Sequence, residues 1–470
     1  EENFAKHTLF VLDVGRRFIK FSVIGLFILG TTAATAYECL HQYVEHVELA
    51  PEADRDICRW EWHLANEHWT GDPLRGGTDP SLGFKGRHIV RAAWMAYNWG
   101  VGYSTAVVNS GTTHKEGLPG PGGIRVIDAA LQRTEDFLRS AVTIAQNKGI
   151  TGSGNPHTLT DLLICHASVL ERLGQSFQSE AKSQYERAWS GLSANGLNAA
   201  HVALKLGNIN SRLGDAEMAL AWWSRAILLS CGRQCQANEN STGVPALSDK
   251  APSSPLAQRT LMSTFVSLSA FYATSGQLSN AQEVEESALN LIRSIQPPES
   301  LASATPAQAL HALYLLHRSS LLSIHLAEVL HARKQPGINS IQWLTAAAES
   351  SERVAYALTG QPLDGFHKRG SETQAWKTTL LATYSKSRTM KKVAEGLLRD
   401  ASRTAAEAWN LMGVLHEARE GPKSSKALQC YERAVEWAGT ASSDSTAQEA
   451  ASGTLEADWN VILSNYNRLK

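Results

Sequence analysis

The chain has 470 residues, 44 Lys+Arg against 45 Asp+Glu, a net charge of -1 and 43% hydrophobic residues, enough apolar material for a large core. This charge balance supplies no drive toward nucleic acid, which a basic face would provide. The 6 cysteines, at positions 39, 58, 165, 231, 235 and 430, are too sparse for a disulfide scaffold.

Residues 18–37, FIKFSVIGLFILGTTAATAY, are the one strongly apolar stretch, long enough to cross a bilayer if Lys20 snorkels to the surface. Arg16, Arg17 and Lys20 precede it or open it, whereas Glu38, Glu45, Glu48, Glu52, Asp54 and Asp56 follow with only Arg55 opposing. The positive-inside bias then leaves residues 1–17 on the near side and carries the rest across. A cleaved secretory signal is the competing reading, because TTAATA offers small residues of the kind signal peptidase accepts. The chain opens at Glu1 rather than methionine, which is read as the trace of a presequence removed upstream. Together these features give an expectation of a single-pass mitochondrial inner-membrane protein, with residues 1–17 on the matrix side and the remainder in the intermembrane space.

Residues 38–123 read as a Trp/Gly-rich juxtamembrane module and linker. Trp60, Trp62, Trp69, Trp94 and Trp99 lie here, five of the 13 tryptophans. Tryptophan suits a surface where one ring edge is buried and the other meets water or a partner, so the five are expected to form a docking surface for a neighbouring complex or for lipid. The alternative is a folded adaptor packing on the first repeat. GDPLRGGTDPSLGFKG is turn-rich, HIVRAAWMAYNWG reads as a helix, and Gly117–Gly123 reads as a linker lacking the lysine and hydroxyl residue of a phosphate-binding loop.

Residues 124–470 read as helical repeats. Ala203, Leu206, Gly207, Asn210, Gly214, Ala219, Trp223 and Ala226 return at identical spacing as Phe265, Leu268, Ser269, Tyr272, Gly276, Ala281, Glu285 and Ala288. Offsets of three, four and seven put the first four on one helix face. Gly207 allows a close helix approach, Gly214 ends the first helix and Asp215 starts the second. Two further units fit with a turn about two residues longer: Leu163, Ala167, Gly174, Ala181, Tyr185, Ala188, and Trp409, Met412, Gly413, His416, Ala427, Tyr431, Ala434. Between Leu310 and Met390 the period is helical and the signature residues are few.

This pattern resembles the tetratricopeptide repeat, over roughly Leu159 to Lys470. The resemblance implies an all-α fold: a single N-terminal transmembrane helix followed by a tetratricopeptide-like α-solenoid that displays partner proteins on its concave face. On the best unit His201, Lys205, Asn208 and Arg212 recur at spacings of four, three and four away from the packing stripe, so they are the expected peptide-binding groove, with Asn208 for a backbone and Lys205 and Arg212 for carboxylates. The equivalent face of the next unit, Ser263, Val266, Ser267, Ala270, Ala273 and Thr274, is uncharged. Such a mixed groove suits loosely defined, partly unfolded segments.

No zinc-protease, nucleophile-elbow, dinucleotide or kinase motif is present. His63 and His68, and His311 and His317, lack the i, i+4 spacing of helical metal ligands, so no metal, cofactor or enzymatic activity is expected. Cys231 and Cys235 are close enough for a local disulfide or a metal half-site, without a second pair to complete one. The order of anchor, Trp-rich module and repeats resembles the membrane-anchored repeat adaptor of the fungal mitochondrial i-AAA protease. That resemblance implies a non-enzymatic adaptor binding unfolded or partner polypeptides and presenting them to an inner-membrane AAA protease. A scaffold or assembly factor of an inner-membrane complex, and an import receptor exposing its repeats to the cytosol, are the alternatives.

Overall fold

Helix punctuation written into the sequence sets the repeat geometry. Gly214 takes a left-handed conformation with φ 84°, which only glycine adopts at little cost. Asp215 then accepts the Met218 amide at 3.1 Å and starts the next helix. Gly276 (φ 75°) repeats the left-handed turn one unit later, there without a side-chain cap on the next helix.

The computed structural model describes residues 2–64, 68–69, 76–100, 107–109, 125–127, 129–149, 157–192, 196–232, 251–301, 303–360, 380–441 and 448–470. In chain order the helices are α1 (Glu2–Tyr43), α2 (Arg55–Arg59), α3 (Gly83–Trp99), α4 (Ala129–Asn147), α5 (Thr158–Leu173), α6 (Gln178–Gly191), α7 (Leu197–Arg212), α8 (Ala216–Cys231), α9 (Pro255–Thr274), α10 (Leu278–Ser294), α11 (Pro306–Ala332), α12 (Gly337–Thr359), α13 (Leu380–Tyr384), α14 (Arg388–Glu420), α15 (Ser425–Ala441) and α16 (Gln448–Leu469). One short π-helical turn, Val44–Glu48, continues α1. Two three-residue strands, Val107–Asn109 and Arg125–Ile127, pair antiparallel beside this all-α architecture.

Consecutive helices pair, α3 with α4, α5 with α6, α7 with α8, α9 with α10, α11 with α12 and α14 with α15. The matched sequence positions meet inside the pairs. A Cβ on Gly207 would stand 2.5 Å from Trp223 Cδ1, and one on Gly413 would stand 2.6 Å from Tyr431 Cε1. Between α9 and α10 the equivalent pair is Ser269 and Glu285, hydrogen-bonded at 3.1 Å. Tyr185 donates to Glu171 at 3.0 Å and Tyr431 to Glu417 at 3.0 Å, the same interaction fourteen residues apart in two units. These repeated internal contacts make the chain a tetratricopeptide-like helical-repeat protein.

The expected break near residue 124 does not coincide with a break in the core. Val90, Ala93 and Trp94 of α3 share one buried cluster with Leu138 and Ala141 of α4 and with the repeats that follow. The Trp-rich region therefore supplies the first helix of the stack. Among the described residues one helix, within Asp13–Glu48, is long and apolar enough to cross a membrane or to serve as a signal, its most apolar stretch having mean hydropathy 1.6 and no buried residue. The Gly117–Gly123 stretch and Cys235 lie outside the described residues, while Cys231 is buried at the end of α8.

Candidate partner-binding groove

First helices of successive pairs lie side by side as an inner layer, α7 beside α9, α9 beside α11 and α11 beside α14. Two of the four residues expected to line a groove there meet on a single carboxylate. Lys205 donates to Glu171 Oε2 at 3.0 Å and Arg212 to Glu171 Oε1 at 3.1 Å, reaching across from α7 to α5. Burial pushes the Glu171 pKa up, but Lys205, Tyr185 and Arg212 outweigh it and hold the carboxyl below its ordinary range. Lys205 and Arg212 thus clamp a carboxylate supplied by the chain itself. His201 is exposed, yet surrounding protein and then Lys205 lower its pKa to about 4. Asn208 turns toward α8, where its Oδ1 accepts the Trp223 indole N–H at 3.0 Å.

The inner layer is not empty. Residues 47–64 cross it and meet the first helices of successive units. Arg388, at the start of α14, donates to the carbonyl of Ala50 at 2.7 Å and also to that of Val47, and Thr389 bonds Glu52. Ile57 is 3% exposed and packs with Leu310, Val354, Leu358 and Tyr384. Arg259 of α9 donates to the carbonyls of Trp60 and Glu61, each at 3.0 Å, and lies 3.9 Å over the Trp62 ring. Trp62 is 1% exposed and donates to the Ala307 carbonyl at 2.9 Å. Further along, the His68 carbonyl accepts from Cys165 of α5 at 3.2 Å.

Glu61 is the pivot of this segment. Its φ of 54° is left-handed, a conformation costing a non-glycine residue about 1–3 kcal/mol. The turn aims its carboxylate at the N-terminus of α9, where it accepts from Ser254 Oγ at 2.5 Å and the Leu256 amide at 2.8 Å. A carboxylate there also faces the positive end of the helix dipole. Burial lowers the Arg259 pKa to about 10, so it stays charged at neutral pH. Arg259 lies one turn before Ser263 on the face read as uncharged, and a lone arginine on an otherwise neutral helix was the available signal.

The five tryptophans are largely turned inward. Trp62, Trp69 and Trp94 are buried, and Trp60 is half-buried against His311 with ring centroids 5.1 Å apart. Trp99 is exposed and meets Trp94 edge-on at 5.3 Å. A cavity of about 930 Å³ remains where this module meets α14, lined in part by Trp69, Trp94, Trp99, Arg172, Lys391 and Lys392.

Other polar clusters read as packing. His311 bonds Gln258 at 2.9 Å and His317 bonds Thr404 at 3.1 Å, which uses their ring nitrogens structurally. Among the described residues Glu135, His166 and Glu180 bring three metal-type donors together. Arg139 already bridges them, 2.7 Å from Glu135 and 3.4 Å from Glu180, so a guanidinium takes the cation's place. Ser269 sits between His325 (2.8 Å) and Glu285 (3.1 Å). An activated serine needs the imidazole between hydroxyl and carboxylate, the reverse order.

No protein-family model matches the sequence, and no curated protein sequence matches it. Among solved structures, an IFIT1 monomeric mutant with Gppp-AAAA is similar at 12% identity and a TM-score of 0.22, covering 81% of this chain and 80% of that one. A second IFIT1 monomeric mutant, with m7Gppp-AAAA, is similar at 11% identity and a TM-score of 0.21 over the same shares. The repeat class rests on the matched contacts inside this chain: a tetratricopeptide-like helical-repeat protein with one long N-terminal apolar helix.

Proposed function

We propose that the chain is a non-enzymatic, membrane-anchored adaptor whose inner helical layer holds a short polypeptide segment. The observation that carries this reading is the grip on residues 47–62. Arg259 and Arg388 seize main-chain carbonyls, while apolar pockets take Ile57 and Trp62. Main-chain capture with side-chain pockets is how repeat and strand-addition surfaces bind peptides. A partner segment would meet the inner layer beside or in place of the chain's own.

The narrower form of the proposal is presentation of unfolded or partner polypeptides to a mitochondrial inner-membrane AAA protease, with the solenoid in the intermembrane space. Its support is the order of apolar helix, Trp-rich module and repeats, and the basic-to-acidic change across residues 18–37. Affinity purification from solubilised membranes should recover such a protease, and deletion of the protein should slow turnover of unfolded intermembrane-space substrates. Unchanged turnover with no co-purifying protease would refute that form. The filled groove favours one second reading, a scaffold holding a membrane complex through its outer surfaces, which stoichiometric recovery of that complex would support.

A further inference from the structure

The strongest unassigned surface surrounds the exit of α1. From the end of the apolar run onward, Tyr37 (54%), Leu40 (51%), Tyr43 (47%) and Val47 (48%) are exposed on the helix and its continuation, and α3 adds Phe84 (77%) and Trp99 (40%) beside it. The two sets form one patch: the Phe84 ring lies tilted against His88 with centroids 4.0 Å apart, the His88 ring lies 6.3 Å from Tyr37, and Tyr43 lies 6.2 Å from Trp99. Water is a poor environment for so many exposed rings in one place.

The patch is held rigidly to α1. His88 bonds Glu38 at 2.8 Å, and Arg87 pairs with Glu45 at 2.9 Å. Arg91 reaches the His41 carbonyl at 3.4 Å. Once residues 18–37 span a bilayer, the position of α3 against the membrane surface is therefore fixed.

The distances favour lipid as the occupant. Headgroups extend roughly 5–8 Å beyond the hydrocarbon on each side. Tyr37 closes the apolar run and Phe84 shares its level through His88, so both fall within that layer. Tyr43 stands six residues further, about 9 Å along the helix, at its outer edge with Trp99. Aromatic rings concentrate at this depth in membrane proteins, and the exposed Lys85 next to Phe84 suits anionic headgroups.

We propose that Phe84, with Tyr37, Tyr43 and Trp99, forms an aromatic collar that seats the solenoid on the headgroup layer of the bilayer crossed by α1. The proposal rests on residues 18–37 being a retained membrane span. It is tested with benzoylphenylalanine placed singly at Phe84, at Phe27 within the apolar run, and at Val461, an exposed residue of α16, in the full chain in its own membrane. After irradiation, lipid adducts are read by mass spectrometry. The collar gives lipid adducts at Phe84 comparable to those at Phe27 and about tenfold above Val461. Adducts at Phe84 that fall to the Val461 level, or form with protein, while Phe27 still labels lipid would overturn the collar and leave the span standing. Absence of lipid adducts at Phe27 would overturn both.

Discussion

Replacing Arg259 by methionine should free residues 57–62 from the inner layer while leaving the repeats folded. Its two bonds to the Trp60 and Glu61 carbonyls are 3.0 Å long, and hydrogen bonds from a charged donor contribute about 1.5–3 kcal/mol each. The guanidinium also lies 3.9 Å from the Trp62 ring centroid, worth about 2 kcal/mol when desolvated. Against this total stands the several kcal/mol cost of burying the guanidinium, which methionine avoids, so the net loss is about 2–4 kcal/mol. Concentrated on one segment, that raises its open population roughly 30- to 700-fold. The assay is limited trypsin digestion of the full chain under native conditions, following cleavage after Arg59. Cleavage should accelerate by that factor in Arg259→Met, with the melting of the solenoid little changed. An unchanged rate would refute the argument that Arg259 holds the segment.

Gly207→Ala should destabilise the chain by about 1–3 kcal/mol through overpacking, because the new Cβ meets Trp223 at 2.5 Å. Trp223→Leu in the same chain should recover part of the loss, measured as a double-mutant cycle by denaturant unfolding. Burial, with Glu328 adding to it, pushes the Glu285 pKa from 4.5 up to about 8. The folded state therefore holds this proton more tightly than the unfolded state, and its stabilising effect is complete below pH 4.5 and lost as pH rises toward 8. Glu285→Gln should remove up to about 5 kcal/mol of that dependence, so the variant gains most over the parent at pH 8 and nothing at pH 4; equal pH profiles for the two would refute the assignment. Glu171→Gln should release Lys205 and Arg212 to a ligand carboxylate and raise affinity for acidic peptides roughly fivefold by titration. No gain would remove those residues from the partner-binding face.

The repeat architecture was legible because its determinants are local. Gly214 and Asp215 set a turn by their own backbone chemistry, and Gly207 and Trp223 lie sixteen residues apart within one hairpin. The occupant of the inner layer was not legible. Its contacts join Glu61 to Ser254 across 193 residues and Arg388 to Ala50 across 338, and no periodicity encodes pairing over such distances. The same cause misled the reading of the tryptophans. Their density correctly marks a buried-edge environment, but Trp62 finds its partner in α11 of its own chain, at Ala307. Lys205 and Arg212 share one face of α7, while their partner Glu171 lies on α5, 34 and 41 residues away, where no local spacing points to it. A lone arginine in PLAQRTLMSTFVSLSAFYAT was the one sequence cue to the groove's grip.

The central question is whether residues 57–62 occupy the inner layer of the full chain. Amide hydrogen exchange read by mass spectrometry measures this directly. Peptides covering Ile57–Trp62 should be protected to nearly the same extent as α9 and should lose that protection in Arg259→Met. Exchange over Ile57–Trp62 at the rate of an unfolded chain, with α9 still protected, would contradict it.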